Sequence, residues 1–257
     1  MDKHNPEFGL TVLDGGWGTT SLSAILGVLE SVFKELSTVT GKLPDDRIEV
    51  SRWTRDYPLT VQGRRPYKIY LTASDTYWSQ YVYQFSHELC HVLVRSDRFT
   101  GHKHKWFEEA LCEAASLFVL RRLANAWAQA PPPSVFKAAE FAPNHGTYAE
   151  DIEKLYAANL EASLPKWFRD HCEELESDPY KRNLNGVVAI ALLGEFQENS
   201  SLWRDCTCLN SWDANLDEEF RAYLNSWSSN LGGSNVSPKL PCILAKRLGI
   251  NGTTGRS

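Results

Sequence analysis

His87-Glu88-Leu89-Cys90-His91 is the stretch of this chain whose residue types and spacing state a chemistry. In a helix, residues four apart fall on one face. Two imidazoles so placed can grip a single Zn²⁺ while the glutamate between them reaches the metal's water. Two histidines do not close such a site, because catalytic zinc usually takes three protein ligands and leaves a fourth position open. The stretch Trp106–Leu120 offers Glu108 and Glu109 as the third. Glu109 is followed one turn later by another carboxylate, Glu113, whereas Cys112 stands one turn beyond Glu108. A ligating histidine commonly gives its other ring N–H to a carboxylate, which fixes its tautomer and raises its basicity. Glu109 is therefore read as the third ligand, and Glu113 as the carboxylate supporting one of the histidines.

This arrangement resembles the gluzincins, zinc metallopeptidases with His-Glu-x-x-His on one helix and a ligand Glu on the next. Trp106-Phe107-Glu108-Glu109 looks like the opening of that second helix, and seventeen residues lie between His91 and Glu109, near the spacing of the aminopeptidase branch. Some members carry an acidic residue four positions after the ligand, as Glu113 is here. A departure is Ala110, where the family often has glycine. The resemblance covers roughly residues 68 to 120. It implies a zincin-like fold and a Zn²⁺ cofactor, with hydrolysis of peptide bonds as the activity.

In such a site Glu88 stands beside the metal's water and serves as general base, then hands the proton to the leaving amine. One further donor would help stabilise the negative oxygen of the tetrahedral intermediate. In several gluzincins a Tyr ahead of a Gly-containing apolar helix does this, and Tyr180 before Asn185-Gly186-Val187-Val188 looks similar, with a longer spacing than usual. His145 and Tyr148, at a Pro/Asn/Gly turn, and His171 are rivals. Cys90 and Cys112 are read as small buried hydrophobes.

These residues need elements to hold them. The run from Tyr77 to Val94 has no Pro or Gly and predicts a helix, with Ser74 or Asp75 as its cap. Arg47–Trp53 and Lys68–Thr72 read as strands, the second standing where the resembled peptidases have a substrate-binding edge strand. Pro58 and Gly63-Arg64-Arg65-Pro66 predict a loop or short hairpin between them. The expected fold is α+β: a small mixed sheet of three or four strands packed on helices that include the metal-binding one. Asp14–Thr20 is a Gly-rich turn before a helix over about Leu22–Leu36. It lacks the residues of a phosphate loop, and is read as a tight turn and cap, with Trp17 packing on substrate as the alternative. Arg98–Lys105, with His102 and His104, reads as a solvated basic loop.

Pro131-Pro132-Pro133 must end the second metal helix and is the best internal boundary. The chain divides into a catalytic region over 1–130, a mostly helical region over 131–250 forming the other wall of a cleft, and a mobile tail over 251–257. Helices are expected near Tyr148–Leu160, Trp167–Leu175, Leu184–Gln197 and Leu216–Trp227, broken by Pro165 and Asp178-Pro179.

An apolar fraction of 42% and a charged fraction of 23% over 257 residues fit an ordinary globule. With 27 basic and 32 acidic residues the formal charge is -5, which offers no nucleic-acid footprint. No secretion signal or membrane-length apolar run is legible, and six scattered cysteines do not form a disulfide framework, so a cytoplasmic setting without membrane attachment is expected. Cys206-Thr207-Cys208 reads as structural, with a disulfide from it to Cys172 or Cys242 as the alternative. The expected partner is a peptide or protein substrate, and the C-terminal helices could also receive a protein. No cluster for a free amine precedes His87, which favours an endopeptidase over an aminopeptidase. The competing functions are zinc hydrolysis of another amide or ester, and an interaction protein retaining a structural zinc.

Overall fold

Along Tyr67–Leu71 burial alternates, with Tyr67, Ile69 and Leu71 packed inward and Lys68 and Tyr70 turned outward. This is the two-residue period of a strand with one covered face. The computed structural model describes residues 2–61, 63–98, 102–211, 218–231 and 239–250. Among them are five strands, β1 (Lys3–Asn5), β2 (Leu10–Val12), β3 (Ile48–Arg52), β4 (Leu59–Val61) and β5 (Tyr67–Leu71), in one mixed sheet of order β1-β2-β3-β5-β4. β2, β3 and β5 run parallel, while β1 and β4 pair antiparallel at the two ends. The α+β class is as expected, and the sheet has five strands where three or four were anticipated. Two of them, β1 and β4, are only three residues long and partly exposed, too short to show a period in sequence. β5 is not the edge. The hairpin across Pro58 to Pro66 adds β4 outside it, so the exposed edge nearest the histidine helix belongs to Leu59–Val61.

Helices α1 (Leu22–Thr40) and α2 (Trp78–Leu93) pack on the sheet, α1 against β1 and β2, α2 against β4 and β5. α1 begins at Ser21, whose hydroxyl accepts from Ala24 N–H, and ends on Gly41 in the left-handed conformation. It runs four residues past the expected Leu36. α2 has the expected length but not the expected cap, because Tyr77 stands at its N-cap without a side-chain bond. Asp75 is engaged elsewhere: its carboxylate accepts from the N–H and hydroxyl of Thr19, each at 2.9 Å. A Cβ on Gly18 would lie 2.3 Å from that carboxylate. The Gly-rich turn is thus a clasp on the entrance to α2, and Trp17 is buried in the core against Tyr81. Gln84 makes a second tie, accepting from Thr72 and Ala73 N–H at the end of β5 and donating to the Thr72 hydroxyl.

α3 (Lys105–Gln129) is buried on nearly every side from Trp106 to Leu120, as a helix enclosed by others must be. Ala110, Ala114 and Ala115 are fully buried in it, and the Ser116 hydroxyl donates to Tyr83 C=O across to α2. The helix stops at Ala130, where the prolines begin.

The remainder is helical among the described residues: α4 (Ala138–Ala157), α5 (Leu164–Ser177), α6 (Arg182–Glu198), α7 (Trp203–Cys206), α8 (Phe220–Asn230) and α9 (Leu240–Arg247). α4 begins ten residues before the expected Tyr148 and includes Pro143. The proline forfeits one backbone bond, and burial of Ala142, His145 and Ala149 offsets the loss. His145 and Tyr148 therefore sit within a helix, not at a turn. Pro165 opens α5 instead of breaking it, because the first turn has N–H groups without helical partners. α9 was not anticipated. Leu216 and residue 217 of the expected last helix, the loop residues 99–101 and the tail 251–257 lie outside the described residues. His102 and His104 are buried against Tyr223 and are not part of a solvated turn. All six cysteines are free, including Cys172, Cys206 and Cys242. No helix among the described residues is long and apolar enough to cross a membrane.

Candidate metal centre

On α2, His87 and His91 are one turn apart with ring centroids 5.1 Å from each other. On α3, Glu109, Cys112 and Glu113 share the face turned toward them, since residues three and four apart lie together on a helix. Glu109 Oε2 stands 3.3 Å from His87 Nε2 and 3.5 Å from His91 Nε2. Ligand atoms held at about 2.0–2.1 Å in a tetrahedron are about 3.4 Å apart. The carboxylate oxygen thus stands from each ring nitrogen at about the separation of two ligands on one ion.

A second set overlaps this one. One donor atom from each of His87, His91 and Cys112 lies within 4.8 Å of the others, and this His/His/Cys cluster could hold a metal ion. Glu109 approaches both imidazoles more closely than that bound requires, and as an ionised carboxylate it is the stronger attraction for a hard or borderline cation. Its pKa lies well below the usual range: burial would raise it, and the neighbouring His91 and His87 outweigh burial.

Each imidazole is held from behind by a further carboxylate. Glu113 Oε2 is 3.7 Å from His87 Nδ1. His91 Nδ1 pairs with Glu108 Oε1 at 2.7 Å. Glu108 is wholly buried and receives the Lys105 ammonium, which also binds the Ser96 hydroxyl, together with the side-chain amide of Asn210 at 3.0 Å. Burial would raise its pKa, but Lys105 and His91 hold it down at about 2. Burial likewise works against protonation of His87, and Glu109 and Glu113 reverse this, placing its pKa at about 9. So dense a set of carboxylates around two imidazoles favours a cation between them.

Glu113 is fixed in turn by residues from three other helices. The hydroxyls of Tyr83 on α2 and Tyr156 on α4 both donate to its Oε1, the latter at 2.8 Å. Arg182, the first residue of α6, donates to the Tyr83 and Tyr156 hydroxyls and stands 3.9 Å from Glu113 Oε2. Glu88 is buried, and its charge is felt at His87. The Thr60 hydroxyl, on edge strand β4, donates to Glu88 Oε2 at 2.8 Å.

The structure brings His87, Glu88, His91, Glu109 and Glu113 together. It does not bring Tyr180 to them. That side chain is 71% exposed at the turn before α6, and no hydrogen bond, ion pair or ring contact joins it to the cluster. His145 is buried beside Ser79 and Trp127, and His171 stacks on Trp167. Tyr148 alone of the four lies against a residue that braces the cluster, edge-on to Tyr83 at 5.8 Å, where burial raises its pKa. Glu108's support of His91, Thr60, Tyr83, Tyr156 and Arg182 were not anticipated. Only Tyr83 carried a signal, standing one turn before His87 on the same helix face. No protein family, curated protein or solved structure matches the chain.

Proposed function

We propose that this chain is a zinc-dependent hydrolase of peptide bonds, zincin-like in architecture and gluzincin-like in its ligand set, with His87, His91 and Glu109 as ligands. The observation that carries the reading is the approach of Glu109 Oε2 to both Nε2 atoms at 3.3 and 3.5 Å, with Glu88 buried alongside. Two imidazoles and a carboxylate are one of the donor sets that catalytic zinc takes. When bound there, the ion supplies Lewis acidity and lowers the pKa of its water toward neutrality.

The chain's own groups do the rest. Glu88 accepts the proton of the attacking water and delivers it to the leaving nitrogen. Thr60 occupies one of its two oxygens, so the carboxylate is held in one orientation with the other oxygen free for the proton. Glu108 accepts the outer N–H of His91 at 2.7 Å, and Glu113, 3.7 Å from His87 Nδ1, draws the outer N–H of that ring to its side, which leaves each Nε2 lone pair for the metal. Of the four donor candidates, we assign stabilisation of the developing oxyanion to Tyr148 in place of Tyr180, because its ring lies against Tyr83, which braces Glu113 behind His87.

Among the described residues the outer edge of β4 has no partner in the sheet, and Thr60 of that strand reaches the general base. An extended peptide adding to such an edge would be held by backbone hydrogen bonds along Leu59–Val61. This favours internal bonds of a peptide or protein over a free amino terminus. Six free cysteines suit a reducing, cytoplasmic setting.

The test is metal content and cleavage of a mixed peptide library by the parent protein and Glu88→Gln. The variant should keep one zinc per chain and lose turnover. Equal cleavage by both proteins would end the general-base assignment.

A further inference from the structure

The face of α3 turned to the two histidines carries one donor more than a hydrolytic centre uses. Glu109 fills the third position, and Glu113 is committed to Tyr83 and Tyr156. Cys112 lies between them in sequence and on the same face, is 0% exposed, and places its sulfur within 4.8 Å of a ring nitrogen of each histidine. Resting on the metal centre proposed above, we propose that Cys112 is an alternative ligand for soft divalent cations such as Cd²⁺, which close the site through His87, His91 and the Cys112 sulfur.

The chemistry of the donors separates the two uses of the site. Carboxylate oxygen suits hard and borderline ions, thiolate sulfur suits soft ones, and imidazole accepts both. Two imidazoles common to both sets, with Glu109 and Cys112 one turn apart on the facing helix, let the ion take either as its third ligand. Zinc sites with an open position are catalytic, while filled four-ligand sites are structural. With Glu109 still within reach, capture of the sulfur yields a filled set of His87, His91, Glu109 and Cys112. The step balances without a redox partner: the sulfur–metal bond forms, the S–H bond breaks, and the proton leaves to solvent. Soft cations are then expected to bind tightly and silence the centre.

The experiment titrates the metal-free full-length protein with Cd²⁺ and separately with Zn²⁺, following the ultraviolet thiolate-to-cadmium charge-transfer band and a competing chelator. One Cd²⁺ per chain should bind with the band present. Cys112→Ser should abolish the band and lower the ratio of cadmium to zinc affinity about tenfold or more. X-ray absorption at the cadmium edge of the parent protein should show one sulfur neighbour, and this reading does not depend on the variant folding. Cadmium bound without a band or sulfur neighbour, while Zn²⁺ still binds one to a chain, would overturn the role of Cys112 and leave the metal centre standing. A band that survives in Cys112→Ser and vanishes in Cys90→Ser would also overturn it. Failure of Cd²⁺ alone to bind would likewise overturn the role of Cys112, and failure of both ions to bind would overturn the metal centre with it.

Discussion

Gly186 and Gly194 lie in the same helix, α6, and alanine at each should move stability in opposite directions. A Cβ on Gly186 would stand 2.3 Å from two ring carbons of Tyr156 and 2.5 Å from a third, whereas a Cβ on Gly194 would meet nothing within 4 Å. Alanine gains about 1 kcal/mol over glycine in a helix interior. At Gly194 that gain stands alone, so Gly194→Ala should stabilise by about 0.5–1 kcal/mol. At Gly186 it is opposed by overpacking against a rigid ring, about 1–3 kcal/mol, and by loss of the Tyr156–Glu113 hydrogen bond, about 1–2 kcal/mol for an acceptor that is charged. The net is a destabilisation of about 1–4 kcal/mol. The effect should also reach the metal, because Glu113 loses the 2.8 Å bond that helps hold it behind His87. Zinc affinity should fall about tenfold, at the low end for loss of a group supporting a ligand. Urea unfolding of the metal-free proteins reads the first effect, and chelator competition the second. If Gly186→Ala is as stabilising as Gly194→Ala, with zinc affinity intact, the coupling from α6 through Tyr156 to His87 is refuted.

Glu108→Gln should lower zinc affinity about 10–100-fold, since a neutral amide replaces the carboxylate paired with His91. Chelator competition checks this, and an unchanged affinity would mean that Glu108 does not orient the ring. Tyr148→Phe should cut kcat about 100-fold or more with KM little changed, and Tyr180→Phe should leave both as they are; the reverse result returns the oxyanion role to Tyr180. His145 is buried away from the ligands, and burial pushes its pKa from 6.5 down to about 4. Between these values the unfolded chain holds a proton that the folded chain refuses. Stability is therefore full above pH 6.5 and falls as the pH drops toward 4, by about 2 kcal/mol at pH 5 from this group. His145→Asn should remove that part of the decline in urea midpoints between pH 7 and pH 5, and equal declines in both proteins would reject it.

What the sequence made legible was chemistry carried by short spacings. His87 and His91 are four residues apart on one helix with Glu88 between them, and Glu109 and Glu113 are four apart on the next, so helix geometry alone predicts which side chains share a face. The end of α3 was legible because three prolines cannot continue it. The Glu113 support was not, since Tyr83, Tyr156 and Arg182 meet only after α2, α4 and α6 have packed, and no local pattern encodes that meeting. Proline also misled where its position mattered more than its presence. Pro165, read as a break, lies in a first turn, and Pro143, read as part of a turn, lies in a helix whose burial tolerates it. The Asp75 cap failed for a similar reason, because a residue 56 positions away, Thr19, claims the same carboxylate.

The triprolyl stop after α3 marks where a helix ends, and it is a poor place to cut the molecule. Every proposed ligand lies before it, while Tyr156 and Arg182, which brace Glu113, come after it. A fragment ending there would carry the full inventory of metal donors and lack the means to keep one of them aimed. Affinity for the ion is in that sense a property of the assembled chain, inherited from stretches almost a hundred residues apart.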